Sequence, residues 1–276
     1  NPKATTKGFF NNYEFLIKNV NSNSQNSANY KKGNNFYLSG LFQFNSSFPM
    51  MKKNDNNNKI LTPKISLKIS PYNNTKNIRD NENRIDVSNI FALNRLSSNN
   101  TVEGGTSLAY GFDYSILDKL KSNDILSLKI ANNLRIKEHD DLPNSSQLGA
   151  KTSNFVAETK YSPNEYLDLG YSISTKNNLH DVNYENLNAK IKINNFITTF
   201  DYLNENNNRE KNSYLLNETV YNLNNNNIFS FSTRNNKTTN LTEYYNMMYK
   251  YKNDCLSASI EYRKNYYNDR DIKPEE

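Results

Sequence analysis

The chain has 276 residues, a formal net charge of +6 and a mean hydropathy of −0.91. Only 35% of it is apolar, below the roughly 45–50% of ordinary soluble domains, yet 20 Tyr and 14 Phe are too many for a disordered chain. No apolar run approaches the ~20 residues of a membrane helix, and the single Cys255 excludes an internal disulfide framework. Asn, Lys and Ile are abundant and Trp is absent, as in the product of an AT-rich genome. The basic charge could attract phosphate groups, but no Lys/Arg cluster interleaves with a nucleic-acid module, so no nucleic-acid partner is expected. The chain opens at Asn1-Pro2-Lys3-Ala4 without an initiator Met and stops at Glu276. It is expected to be a piece of a longer protein.

In chain order, apolar and polar residues alternate with a period of two, so each segment reads as a strand with one apolar and one wet face. After an opening strand come Tyr13–Val20, Phe36–Ser46 and Ile65-Leu67-Ile69, then Arg84–Asn94; the alternation is weaker at Phe36–Ser46, Arg84–Asn94, Ser153–Tyr161, Phe196–Leu203, Ser213–Leu223 and Ile228–Thr233. Leu108-Tyr110-Phe112-Tyr114, Leu126-Leu128-Ile130, Ser153–Tyr161 and Leu167-Leu169-Tyr171-Ile173 follow. Next are Leu187-Ala189-Ile191-Ile193, Phe196–Leu203, Ser213–Leu223 and Ile228–Thr233. Tyr245-Met247-Tyr249-Tyr251 and Leu256–Tyr266 complete the series. About fourteen strands result, most near the roughly 9–11 residues that cross a membrane at a tilt. The pattern predicts an all-β fold, an antiparallel transmembrane β-barrel, in which residues 1–276 form one barrel region. Such a barrel hides its apolarity from averaged hydropathy, because lipid-facing and lumen-facing residues alternate.

The connections alternate too. Ser162–Glu165, Asn194-Asn195, Asn224–Asn226 and Asn253-Asp254 are short, and Lys176–Asn183, Glu205–Asn212 and Asn235–Asn240 are longer. Asn and Asp suit tight turns because they tolerate positive φ. Short turns on one side and long loops on the other are the outer-membrane pattern, with short turns facing the periplasm. By that parity Lys137–Lys151 and Arg95–Gly104 are extracellular, and Cys255 sits at the periplasmic end of its strand. The early connections Asn21–Asn35 and Pro49–Lys59 are both long and fix the parity less well.

Catalytic chemistry is not legible. His139 and His180, the only histidines, fall in predicted loops without metal-ligand spacing to Cys255 and are expected to be solvated. Gly104-Gly105 lacks the strand-to-helix context of a phosphate loop. Asp140-Asp141 and Asp269-Arg270-Asp271 lack a calcium loop around them, and no nucleophile elbow is present. No enzyme, metal or cofactor is predicted. Lys68, Lys129, Lys190, Lys192 and Arg263 fall on the polar side of their strands. They would face a lumen, either lining a path for an anionic, phosphorylated amphiphile or simply making a polar lumen wall.

Three segments, in order, resemble the C-terminal barrel region of the lipopolysaccharide-assembly outer-membrane family LptD. They are Leu61-Thr-Pro-Lys-Ile-Ser-Leu-Lys-Ile-Ser-Pro71, then Arg84-Ile-Asp-Val-Ser-Asn-Ile-Phe-Ala-Leu-Asn-Arg-Leu-Ser-Ser98 continuing through Val102-Glu-Gly-Gly-Thr-Ser-Leu-Ala-Tyr-Gly111, and Asn253-Asp-Cys-Leu-Ser-Ala-Ser-Ile-Glu-Tyr-Arg263 followed by Tyr267-Asn-Asp-Arg-Asp-Ile-Lys-Pro274. The resemblance implies an outer-membrane barrel of a Gram-negative bacterium, of which this chain is part. That barrel would receive lipopolysaccharide from a periplasmic N-terminal domain, linked to periplasmic bridge proteins, and release it into the outer leaflet between its first and last strands. It further implies a lipoprotein plug, LptE, in the lumen, and a disulfide from Cys255 to the N-terminal domain. Ser97-Ser98-Asn99 departs from the family's frequent Ser-Gly-Asp, and a single Cys stands where some members have two adjacent ones. A different outer-membrane channel, which would need a constriction loop such as Lys137–Lys151, and a soluble secreted β-rich binding protein are the alternatives.

Overall fold

A computed structural model of the chain describes residues 3–27, 30–71, 76–96, 101–120, 124–177, 179–206 and 211–266. The described residues contain fifteen strands and no helix. They are β1 (Lys3–Ala4), β2 (Phe10–Ser24), β3 (Gly33–Ser47), β4 (Met50–Lys53), β5 (Asn57–Ser70), β6 (Gly105–Asp118), β7 (Asp124–Arg135) and β8 (Phe155–Asn164). Then come β9 (Leu167–Thr175), β10 (Val182–Ile193), β11 (Phe196–Asn206), β12 (Lys211–Asn222), β13 (Asn227–Asn236), β14 (Leu241–Lys252) and β15 (Ser257–Asn265). Every strand hydrogen-bonds its neighbour in sequence in one sheet, except that β4 lies off the path and pairs with β5 alone. The registers resolved between neighbours are antiparallel throughout.

β3 and β4 together run along one edge of β5: β3 pairs Phe42–Ser47 with Ile69–Lys64, and β4 pairs Met50–Lys53 with Leu61–Asn58. Pro49 separates them. Proline has no N–H for the ladder and a fixed φ, and the Phe48 N–H crosses to the Pro63 carbonyl at 3.1 Å instead. The early connection between β3 and β5 is thus largely strand.

The chain divides into two compact units. The first comprises residues 1–159 and 172–183, the second 160–171 and 184–276. In the first, alternation separates two faces of the sheet. Ile65 and Ile69 of β5, Leu108 and Tyr110 of β6 and Leu134 of β7 are exposed, as are Tyr13, Phe15, Ile17, Phe36 and Leu38 of β2 and β3, with Phe36 74% accessible. The intervening Ser66, Lys68, Ser107, Ala109, Ala131 and Asn133 are buried on the other face. What buries them is not a second sheet but residues 76–96, 101–104 and 136–154 of the connections. Ile78, Ile85, Ile90, Leu96, Leu142 and Leu148 from these connections form one apolar cluster with Ala109, Ala131 and Val156 of the strands.

Arg84–Asn94 is therefore not a strand. Asp86 Oδ1 accepts the N–H groups of Ser88 and Asn89 at 2.9 and 3.2 Å, and Asn89 Oδ1 accepts the Asp86 N–H at 3.0 Å. These side chains capture the backbone in a closed turn, the usual competition of Asx residues against a ladder. The alternation there is real, but its apolar members point into the loop core.

In the second unit the faces separate likewise. Across β11 to β14, Phe196, Tyr221, Phe229 and Tyr249 are direct cross-strand neighbours, all exposed on the apolar face. They form a row of rings beside the short turns 194–195 and 223–226, as in the aromatic girdle of an outer-membrane barrel. Asn194 turns with φ +50°, as expected of Asn in a tight connection.

Candidate functional site

The polar face of the first unit carries a buried ion cluster at its centre. Four charged side chains meet there: Lys68 from β5, Arg95 and Glu103 from the connection before β6, and Arg135 at the end of β7. Each is at most 4% exposed. Glu103 is the only anion. Arg95 engages both its oxygens, with Nε donating to Oε2 at 2.8 Å and Nη2 to Oε1. Arg135 Nη2 donates to Oε1 at 2.7 Å, and Lys68 Nζ to Oε2 at 3.3 Å. Burial alone would push the Glu103 carboxyl up; Arg95, Lys68 and Arg135 outweigh it and hold the group well below the usual carboxylate range.

Three cations around one carboxylate are tolerable in a dry site only if their remaining donors are satisfied. Here Lys68 and Arg135 spend them on loop carbonyls, and Arg95 on strand side chains and the Ile90 carbonyl. Lys68 Nζ donates to Ala92 O and Leu93 O, both at 2.9 Å. Arg135 donates to Leu148 O at 2.9 Å and Gly104 O at 2.6 Å. Arg95 donates to Asn133 Oδ1 at 2.7 Å and Ser107 Oγ at 2.8 Å. The cluster therefore ties both connections to β5, β6 and β7. The two connections also bind each other: the Ile78 N–H reaches Asp141 O at 2.9 Å, the Asn144 N–H reaches Arg79 O at 3.0 Å, and the Asn83 N–H reaches Ser145 Oγ at 3.1 Å. Gln43 of β3 adds a bond to Phe91 O at 2.7 Å.

The basic residues singled out from sequence lie on four strands, β5, β7, β10 and β15. Lys68 is on the polar face but beneath the loops. Lys129 of β7 is part-exposed, 3.5 Å from Glu158 of β8. Lys190 and Lys192 of β10 are exposed, on the opposite side of their strand from Leu187 and Ile193. Arg263 of β15 donates to Asn265 Oδ1 at 3.0 Å and lies over the Tyr244 ring at 5.0 Å. Cys255 is exposed in the turn before β15, its N–H bonded to Asn253 Oδ1 at 3.0 Å.

His180 is exposed, but His139 is not the solvated loop histidine its position suggested. It is 4% exposed, with its N–H on Gly149 O at 2.8 Å and its carbonyl accepting Leu142 N–H at 3.2 Å. The loop around it is a packed element, not a solvated excursion. Among the described residues no three His, Cys, Asp or Glu side chains gather as a metal site. Asp269-Arg270-Asp271, Ser97-Ser98-Asn99 and the segment Tyr267–Pro274 lie outside the described residues. Glu103, Arg95 and Arg135 were not singled out from sequence. Arg95 and Glu103 stand in the resembling segments, but nothing local links them to Lys68 and Arg135.

A family model described as LptD, LPS transport system D, matches residues 17–215. No curated protein matches the chain. Among solved structures, a mutant of a Rhodopseudomonas blastica porin aligns over 91% of this chain and 93% of its own, at 12% identity and TM-score 0.35. A triple mutant of the same organism's porin aligns with the same coverage at 11% identity and TM-score 0.33.

Proposed function

Because the chain belongs to the LPS transport system D family, LptD, by a match covering residues 17–215, we propose that it forms part of an outer-membrane barrel of a Gram-negative bacterium that exports lipopolysaccharide and inserts it into the outer leaflet. The family match carries the reading. The two-faced sheet supports it: a large exposed apolar face needs a nonpolar solvent, and lipid supplies one. A soluble two-sheet sandwich would cover Phe36, Tyr13 and Phe15 with a facing sheet, whereas 74%, 67% and 65% of these residues are accessible.

Within this reading the short turns face the periplasm, and residues 76–96, 101–104 and 136–154 lie at the outer end of the lumen. Lys129, Lys190, Lys192 and Arg263 offer cations on the lumen wall to phosphate groups. Cys255, exposed in a turn that this reading puts in the periplasm, would form a disulfide with a periplasmic domain of the same protein, which would in turn receive lipopolysaccharide from bridge proteins. A lipoprotein, LptE, would occupy the lumen. No chemical catalysis is part of the proposal. A porin-like channel is the second reading, favoured by the folding of residues 136–154 onto the polar face, the constriction such a channel requires.

Depletion of the full-length protein separates the two. Export predicts that newly made lipopolysaccharide disappears from the cell surface while uptake of small hydrophilic solutes is unchanged. Unchanged surface lipopolysaccharide with reduced solute uptake would sink export and leave the channel.

A further inference from the structure

Four side chains cross the polar face of the second unit in an alternating row: Tyr214 of β12, Arg234 of β13, Tyr244 of β14 and Arg263 of β15. Arg234 and Tyr244 are direct cross-strand partners, and Arg263 stands opposite Asn246, two residues along β14. All four lie on the side away from Phe231, Met247 and Tyr262. The Arg234 guanidinium lies over the Tyr214 ring at 4.2 Å, and that of Arg263 over the Tyr244 ring at 5.0 Å. Both are held at Nε: Arg234 Nε is 2.9 Å from Glu243 Oε2, and Arg263 Nε donates to Asn265 Oδ1 at 3.0 Å. Glu243 is itself steadied by Asn236 Nδ2, which donates to its Oε1 at 3.1 Å. Among the described residues the Nη groups of both arginines have no partner. A guanidinium lying flat on a ring keeps its in-plane donors free. With Nε occupied, the two Nη groups are left as a fork of fixed direction, matched to a carboxylate or a phosphate. Both forks are open to solvent, since the Arg234 side chain is 40% accessible and Arg263 is exposed. The tyrosine rings beside them offer flat apolar faces, on which the C–H face of a sugar ring packs.

We infer that this row is a binding station for anionic sugars, whose carboxylate or phosphate groups are taken by Arg234 and Arg263 while their rings pack on Tyr214 or Tyr244. The two forks are two strands apart, on the order of 10 Å, and suit charges on adjoining sugar units. On the export reading, on which this rests, the sugars are those of lipopolysaccharide. The row selects charged sugar rings, whereas a merely polar wall would hold charged and neutral sugars alike.

Ligand-detected NMR on the purified full-length protein in detergent tests the station, with glucuronate, glucose 6-phosphate and glucose as probes. The anionic sugars are expected to bind, and glucose about tenfold more weakly. Preference for glucuronate or for glucose 6-phosphate tells a carboxylate site from a phosphate site, and either supports the row. Equal binding of glucose and the anionic sugars overturns the inference, and that comparison needs no variant to fold. Arg234→Lys combined with Arg263→Lys keeps both charges but removes both forks, and should weaken the anionic sugars about tenfold. Lys237→Gln, which removes an exposed cation just beyond β13, should leave their binding unchanged. Native binding by the double lysine variant, or an equal loss in Lys237→Gln, reduces the row to bulk charge and overturns the inference. Export is scored separately, as surface lipopolysaccharide after depletion. Selective binding with unchanged surface lipopolysaccharide would sink export and support the station; intact export without selective binding would sink the station alone.

Discussion

Arg135, the last residue of β7, donates to Glu103 Oε1 at 2.7 Å and to the Leu148 carbonyl at 2.9 Å. One guanidinium thereby joins the end of a wall strand to both connections that fold over the wall. Its planar fork suits this use, since it offers several fixed donors where an ammonium would offer a single point of charge.

Arg135→Lys should therefore not be conservative. Lysine could keep the contact with Glu103 but not also bond Leu148 O and Gly104 O. With a buried acceptor left open costing about 1–3 kcal/mol, the temperature at which the full-length protein loses its folded-barrel migration in detergent should fall by several degrees. Glu103→Gln strands buried cations and should cost more, about 3–5 kcal/mol. Equal melting of Arg135→Lys and the native protein would argue that the fork is dispensable.

Acid should undo the same contacts. The folded Glu103 carboxyl is held below its ordinary value by Arg95, Lys68 and Arg135, which outweigh its burial. Its contribution is fully present above the unfolded value of about 4.3 and is lost as pH falls through the lower folded value. The stability difference between the native protein and Glu103→Gln should shrink as pH falls below about 4. A difference that stays constant down to about pH 2 would assign it to another group.

Gly111 of β6 faces Ala131 of β7 in register. A Cβ added there would lie 2.2 Å from the Ile130 carbonyl oxygen and 2.8 Å from the Ala131 Cβ. Backbone must shift to admit it, so Gly111→Ala should cost on the order of 1–3 kcal/mol. Gly170, where the nearest atom to an added Cβ is 3.8 Å away, should accept alanine with little change. Folded fractions on unheated gels compare the two directly.

The exposed apolar face should resist charge. Met247 of β14 is 44% exposed between Phe231 and Tyr262 on neighbouring strands. Met247→Arg should cost about 2–4 kcal/mol if it meets lipid near the bilayer midplane. Ser232→Arg, on the other face beside Glu218 in register, should cost far less. Similar losses at both positions would contradict a lipid-facing assignment.

On a non-reducing gel, the full-length protein should migrate differently from its reduced form, and Cys255→Ser should remove that difference. Complete alkylation of Cys255 without reduction would exclude the disulfide.

The sequence by itself determined the strands and their two faces, because a period of two is a local property of side-chain order. Lys190 and Ile191 point to opposite sides of β10 whatever else the chain does. The tight turns were equally legible, since Asn194 adopts positive φ where the two-residue gap requires it. Arg84–Asn94 misled for the same local reason: alternation marks which residues are buried, and Asp86 and Asn89 decide by side-chain capture that the backbone turns instead of extending. Only the tertiary structure decided what covers the polar face. Lys68 and Arg135 are separated by long stretches of chain, and their meeting with Arg95 at Glu103 depends on how the sheet brings β5, β6 and β7 side by side. No spacing along the chain encodes that, because a buried charge cluster is fixed by the mutual cost of leaving any one member unpaired.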